Sequence, residues 1–335
     1  MGQYIPIMSR SEKHASLVDF VTQHATEAAC LATLSARRWP SGFVCPHCQH
    51  HGGYPLGGRR GFQCAGCGKQ TGVTAGTAFA FTKLPLPKVF AALYLISANK
   101  QGISAKSLAK HVGCSEPTAW HLLHKFRHAM LERDHAYRLA GLVEADEAYV
   151  GGLAAGPGTR GRSTKTKSPV VALVECRGGN LTGYMHMQPV RNIRAKTLQD
   201  LIVDKVEPTA SIRTDGLTSY RGLAERGFVH LAETSLGGQR AAVQFKLVHR
   251  QFSNLKSWML GTHRNTCRRH LDLYAAEYTW RTNRRNRYDA HGRPDERELT
   301  LPEHCLTAMI AGQGWTWERI RKQRWLRKPP RRKAA

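Results

Sequence analysis

Downstream of residue 140 the chain changes its hydrophobic rhythm several times, and each change predicts an element. The stretch "GLVEADEAYVGG" (141–152) alternates. It predicts a strand with Val143, Ala145 and Glu147 on one face and Glu144, Asp146 and Ala148 on the other. "SPVVALVEC" (168–176) is almost continuously apolar and predicts a buried strand, and "LTGYMHMQPV" (181–190) predicts a third after a turn at 178–180. "AKTLQDLIVDKV" (195–206) has amphipathic helical spacing. "ASIRTDGLTSY" (210–220) predicts a short strand ending on Asp215 and Gly216. "FKLVHRQFSNLKSWML" (245–260) sets Val248, Phe252, Leu255 and Met259 on one helical stripe. Three strands, a helix, a strand and a later helix describe an α/β domain over 140–288.

Upstream the rhythm is helical. Residues 1–40 predict a helical segment, and "LPKVFAALYLISANK" opens a helix after Pro85 and Pro87. Within a helical region taken as 84–135, "GISAKSLAKHVGCSEPTAWHLLHKFRHAM" predicts two further helices joined at Gly113. Ser104 and Ser115 are the caps, and Pro117 lies in the first turn of the second helix. This is the layout of a helix-turn-helix, whose second helix would offer Thr118, His121, His124 and Lys125 to a DNA groove. A plain helical hairpin fits the spacing almost as well. Between these helical parts, 41–75 holds Cys45 and Cys48 in one CxxC and Cys64 and Cys67 in another. Two such knuckles around a Gly-rich hairpin turn four thiolates toward one point and predict a closed structural Zn²⁺ site. His47, His50 and His51 compete as ligands, but four thiolates already saturate the ion.

Charge and composition narrow the partner. The 335 residues carry 50 Lys+Arg against 24 Asp+Glu, a formal charge of +26. The excess is clustered in "RTNRRNRY" (281–288) and in "RIRKQRWLRKPPRRK" (319–333), within a basic extension taken as 289–335. Such clusters point to a polyanion, nucleic acid first. An apolar run long enough for a transmembrane helix is absent, as is a secretory signal, so a cytoplasmic protein without membrane contact is expected. Nine cysteines, an odd number without a signal, argue against a disulfide framework.

The basic surplus makes the acids of 144–147 conspicuous. If the sheet is RNase H-like, its first and fourth strands are neighbours, and Asp146 can converge with Asp215. Two adjacent carboxylates repel unless a divalent cation lies between them, and such a cation serves phosphoryl transfer. Taken singly, Asp215 also suits an ordinary turn before Gly, and Asp146 a surface position on an edge strand.

"VEADEAYVGG", "IRTDGLTSY", "VHRQFSNLKSWMLGTH" and "HLDLYAAEYTWRTNRR", in this order, resemble the ISXO-type transposases of bacterial insertion sequences, over about residues 25 to 287. The resemblance implies an N-terminal zinc ribbon and a DDE-type, RNase H-like domain. It implies cleavage at transposon ends by water and strand transfer to target DNA, with Mg²⁺ or Mn²⁺, by a homo-oligomer on DNA. The first two acids fall on Asp146 and Asp215. The wider pattern has a Glu followed seven residues later by Lys or Arg, and here that spacing is met by His249 and Lys256. Seven residues turn a helix through about 700°, so both lie within about 20° of one face. A neutral imidazole ligates divalent metals with less preference for Mg²⁺ than a carboxylate has. Asn254 and Glu277 are the rivals for the third position: Asn254 faces elsewhere on the helix, and Glu277 has arginines near it. Lys256 is expected on a DNA phosphate, and His263 and His270 on the surface or on DNA. Two other functions fit parts of the pattern: a non-catalytic zinc-ribbon regulator, and a nuclease with the same core but no strand transfer.

Overall fold

The structure, a computed structural model, describes residues 16–57, 61–151, 167–178, 181–233, 245–263, 268–285 and 299–322. Residues 152–166 and most of the basic stretch 319–333 therefore lie outside the described residues.

A helical body opens the chain. Helices α1 (Leu17–Gln23) and α2 (Glu27–Arg38) are capped by Ser16 and Thr26, whose side chains accept the amides of Asp19 and Ala29. Strands β1 (Gly53–Pro55), β2 (Gly61–Cys64) and β3 (Gln70–Gly72) form a three-stranded antiparallel sheet; Cys64 ends β2, Cys67 lies in the turn after it, and Cys45 and Cys48 precede β1. Trp39, Phe43 and Phe62 stack between α2 and this sheet, with ring centroids 4.9–5.5 Å apart. Helix α3 (Leu86–Ala98) follows, then α4 (Ala105–Val112) and α5 (Glu116–Asp134). The Ser104 and Ser115 caps and a left-handed Gly113 at φ 64° stand where the sequence placed them.

A five-stranded sheet then forms from β4 (Leu142–Val150), β5 (Ser168–Cys176), β6 (Thr182–Pro189), β7 (Ser211–Thr214) and β8 (Val229–Ala232). Their order is β6-β5-β4-β7-β8. The first three strands run as an antiparallel meander, whereas β7 pairs parallel to β4 and β8 parallel to β7. This is the RNase H-like order, and it puts the first and fourth strands side by side. Helix α6 (Ala195–Lys205) covers one face through Leu198 and Ile202 against Val143, Ala145, Val171 and Leu173. Helices α7 (Lys246–Trp258) and α8 (Leu271–Arg285) cover the other, through Val248, Leu255 and Ala275 against Val170, Ala172 and Val174. The parity of β4 decides which of its acids meets which layer. Strand β8 was not anticipated; Val229 and Leu231 on it are exposed, so it lacks the apolar run that marks a buried strand.

The two bodies share a seam. Helices α9 (Leu301–Ala311) and α10 (Trp317–Lys322) return to the first body, where Cys305, Leu306, Met309 and Ile320 are at most 1% exposed. Within the described part of 289–335, α9 presents an apolar face to α3 and α5 and joins their core, whereas α10 buries only Ile320. Trp280 of α8 joins the same core.

Candidate active site and metal centre

In the cysteine site Cys45 Sγ lies 3.7 Å from Cys67 Sγ, and Cys48 Sγ lies 3.6 Å from Cys64 Sγ. All four sulfurs fall within 4.8 Å of one another. Four thiolates around a zinc ion at about 2.3 Å would stand about 3.8 Å apart, so the arrangement fits one tetrahedral ion. Amides of Gly66 and Cys67 donate to Cys64 Sγ at 3.3 and 3.4 Å and fix the position of the sulfur. His47, His50 and His51 are not among the clustered ligands. With every position filled by sulfur, the site is structural.

The three acids of β4 have three different surroundings. Glu144 is 3% exposed, and its Oε2 accepts the amides of Leu247 and Val248 at 3.1 and 2.9 Å. These are orphan donors of the first turn of α7, which has no capping side chain of its own. A carboxylate from the sheet thus caps the helix and meets the positive end of its dipole. Sequence reasoning missed this role, because the contact spans more than a hundred residues.

Two positions along, on the same face, Asp146 Oδ2 lies 3.1 Å from His249 Nε2, one turn into the capped helix. The hydrogen bond to Asp146 pushes the His249 pKa up; burial opposes it, and the negative charges of Asp146, Glu144 and Asp215 add to the rise. Glu147 points to the other face, where its Oε2 accepts the buried Tyr220 hydroxyl at 2.9 Å.

Asp215 follows β7. The parallel register pairs Leu142 with Ser211, Val143 with Ile212 and Glu144 with Arg213. Continued two residues, it sets Asp215 level with Asp146 on the adjacent strand. The turn that carries Asp215 is held in place. Its carboxylate accepts the Leu217 amide at 3.0 Å, Ser219 donates to Ile193, and Tyr220 bonds Glu147 of β4. Among the described residues, Asp146, Asp215 and His249 do not close to the spacing of the cysteine site. The register sets Asp215 beside Asp146, whose carboxylate meets His249, while the Asp215 carboxylate is bonded to its own loop. Two carboxylates and an imidazole are residue types that could together hold a divalent cation.

The remaining candidates separate clearly. Lys256 is exposed on α7. Asn254 faces a groove beside Tyr278 and Thr282, away from Asp146. Glu277 is fully buried and accepts Arg127 Nε at 2.7 Å and Arg281 Nη1 at 2.9 Å. Burial would raise its carboxyl pKa, but the two guanidiniums outweigh burial and hold it low.

Three expectations need correction. His124 and Lys125 cannot face a DNA groove: they are 0% and 1% exposed, with His124 stacked on Trp120 and Lys125 donating to Ala80 O and Thr82. Helix α5 is a core helix beyond its first turn, since α8, α9 and α10 pack around it. His270 is buried and His263 half-buried, and burial lowers their pKa values to about 4 and about 3. Finally, two of the arginines in 281–288 are internal. Arg281 holds Glu277, and Arg284 clasps Asp134 at 2.7 and 3.1 Å over the Trp280 ring.

Comparison with known proteins finds family matches over two parts of the chain. Residues 138–283 match the ISXO2-like transposase domain, and residues 25–70 match the transposase zinc-ribbon domain. A Halobacterium salinarum relative, described as an uncharacterized protein in transposable element ISH50, is 30% identical over 209 residues. The match covers 57% of this chain and 68% of the relative. Among solved structures, a pre-cleavage Mos1 transpososome aligns at 12% identity over 68% of this chain and 79% of that one, with a TM-score of 0.26. A Mos1 strand transfer complex aligns at 12% identity over 68% and 78%, with a TM-score of 0.24.

Proposed function

We infer residue roles from one premise: the chain belongs to the ISXO2-like transposase family, and as a DDE-type transposase it catalyses DNA cleavage and strand transfer. The observation that carries the roles is the meeting of Asp146 with His249 at 3.1 Å, with Asp215 level on the neighbouring parallel strand. Asp146, Asp215 and His249 would hold a catalytic Mg²⁺ or Mn²⁺. When bound, the metal supplies charge stabilisation for in-line displacement at phosphorus. The protein's own part is positional. Strands β4 and β7 set the two carboxylates side by side, Glu144 sets the height of α7, and α7 delivers His249. Lys256, seven residues on, meets a DNA phosphate. The DNA partners are the ends of the element and a target duplex, engaged by more than one copy of the chain. No helix among the described residues is long and apolar enough to cross a membrane.

The test uses DNA carrying the element's own ends, with Mg²⁺ or Mn²⁺. Asp146→Asn and Asp215→Asn each remove a negative charge from the metal's ligands. Cleavage should fall at least ~10³-fold while DNA binding survives. His249→Ala should abolish cleavage, and Asn254→Ala should cost less. An inactive Asn254→Ala beside an active His249→Ala would reassign the third ligand. Normal cleavage by both aspartate variants would overturn the site. Joined products, scored apart from nicks, separate a transposase from a nuclease.

A further inference from the structure

Helix α7 has a second polar face, turned about 140° from His249, since five residues of helix separate His249 from Asn254. Arg250, Asn254, Ser257 and Gly261 follow one another along it at helical spacing. They form one wall of a groove with a cavity of about 880 Å³. Thr182 and Tyr278, Arg281 and Thr282 of α8 form another wall. Lys100 and Gln101, from the loop that leaves α3, form its rim. The groove therefore lies on the seam between the helical body and the catalytic sheet.

Three features point to what it takes. First, the lining contains the exposed cations Lys100 and Arg250 and no carboxylate, while hydroxyl and amide groups line most of the rest; Arg281, whose charge is met by Glu277, contributes only its edge. Such a surface matches phosphodiester oxygens, which accept from Arg, Lys, Ser, Thr, Asn and Gln alike. Second, the groove floor is anchored rather than loose. Trp258 Nε1 and Thr262 Oγ1 both donate to Gln101 O, at 2.9 and 2.7 Å, and lock the loop of one body to the helix of the other. Third, α7 ends in a π turn, Met259–His263, a local widening that recurs at functional sites. It carries Gly261 to the groove, where a Cβ would meet nothing within 4 Å, so the floor is open at that point.

We propose that this groove seats the sugar-phosphate backbone of a DNA strand, so that one helix presents a catalytic ligand on one face and grips DNA with another. The inference rests on the transposase reading above. It adds a DNA site outside the catalytic residues, and it gives Asn254 a backbone contact instead of a metal. Because phosphates carry no sequence, the contact positions DNA without choosing it.

The test measures affinity for end DNA and for unrelated DNA against salt, with Ca²⁺ in place of the catalytic metal. Lys100→Gln and Arg250→Gln each remove one cation at an exposed position. Each should weaken both DNAs several-fold and lower the log–log salt slope by about 1. Ser257→Glu, an exposed helical substitution with little reason to unfold the chain, should weaken binding at least about tenfold by repulsion. Mn²⁺ binding to the DNA-free variants should match wild type, which a general loss of folding would not allow. Wild-type affinity and slope in all three variants would overturn the groove while leaving the active site standing. So would a change confined to self-association, which would make the groove a protein interface. Failure of the unaltered protein to bind any DNA would overturn the transposase reading along with it.

Discussion

At the scale of single residues, the acids of 144–147 show how one alternating strand divides labour by parity. Asp146 and Glu144 share a face and meet α7; Glu147 takes the opposite face and meets Tyr220. Removal of Glu144 should therefore act on catalysis at one remove. Glu144→Gln keeps an acceptor but loses the charge at the helix N-terminus, at a cost of about 1 kcal/mol in stability. Glu144→Ala leaves two buried amides without an acceptor, at roughly 1–3 kcal/mol each. With α7 less well set against β4, cleavage should fall about 10- to 100-fold in Glu144→Gln. Thermal melts and end-cleavage rates on the same preparations check both. Unchanged cleavage in a destabilised Glu144→Gln would show that the cap serves the fold alone.

At the scale of elements, α5 and α8 meet through buried charge and buried imidazole. Arg127, Glu277 and Arg281 form a closed triad, over which Gly102 passes at φ 66°, where a Cβ would run into the Arg281 guanidinium. Glu277→Gln leaves two buried guanidiniums without a counter-charge, and the loss in stability should be about 3–5 kcal/mol, read from the urea midpoint. Around the triad, burial lowers the pKa of His121 to about 4, of His263 to about 3 and of His270 to about 4, and that of His124 well below its ordinary value. These histidines are neutral in the folded protein, whereas in the unfolded chain they take up protons near pH 6.5. The unfolded state then binds more protons, so stability falls as pH drops from about 6.5 toward about 4. Each histidine adds up to about 1.4 kcal/mol per pH unit within that range. Urea midpoints at pH 7.5, 6 and 5 should decline steeply over the last interval. A flat profile would place these rings in contact with water.

At the scale of the whole molecule, the two ends of the described chain meet. Helices α9 and α10 complete the core begun by α2, α3 and α5, with an Arg37–Glu303 pair at 3.0 Å across the join. Truncation should respect that boundary. A chain ending at 322 should fold and lose mainly sequence-independent DNA affinity, because the removed stretch 323–335 is basic and phosphate contacts carry no sequence. A chain ending at 298 exposes Leu306 and Met309's partners on α3 and α5 and should be recovered only as aggregate. Size-exclusion chromatography of the two forms distinguishes them. A well-folded 1–298 would mean that α9 is an accessory layer.

Much of this organisation is local and was therefore legible in residues alone. Paired CxxC knuckles, Ser caps before α4 and α5, the left-handed Gly113 and the strand alternation of 142–150 each depend on neighbours a few positions away. Helix periodicity likewise separated His249 from Asn254, because five residues cannot share a face. What lay beyond the sequence depended on distant pairing. Nothing near Glu144 says that it caps a helix a hundred residues later, and nothing near His124 or Lys125 says that α8, α9 and α10 will cover them. Arg281 and Arg284 read as free charge along the chain until Glu277 and Asp134 are folded against them. Local pattern determines which elements form and what chemistry they carry. Only tertiary packing decides which polar groups stay in water and which are consumed in pairs, because burying a charge is tolerable only where the fold supplies its partner.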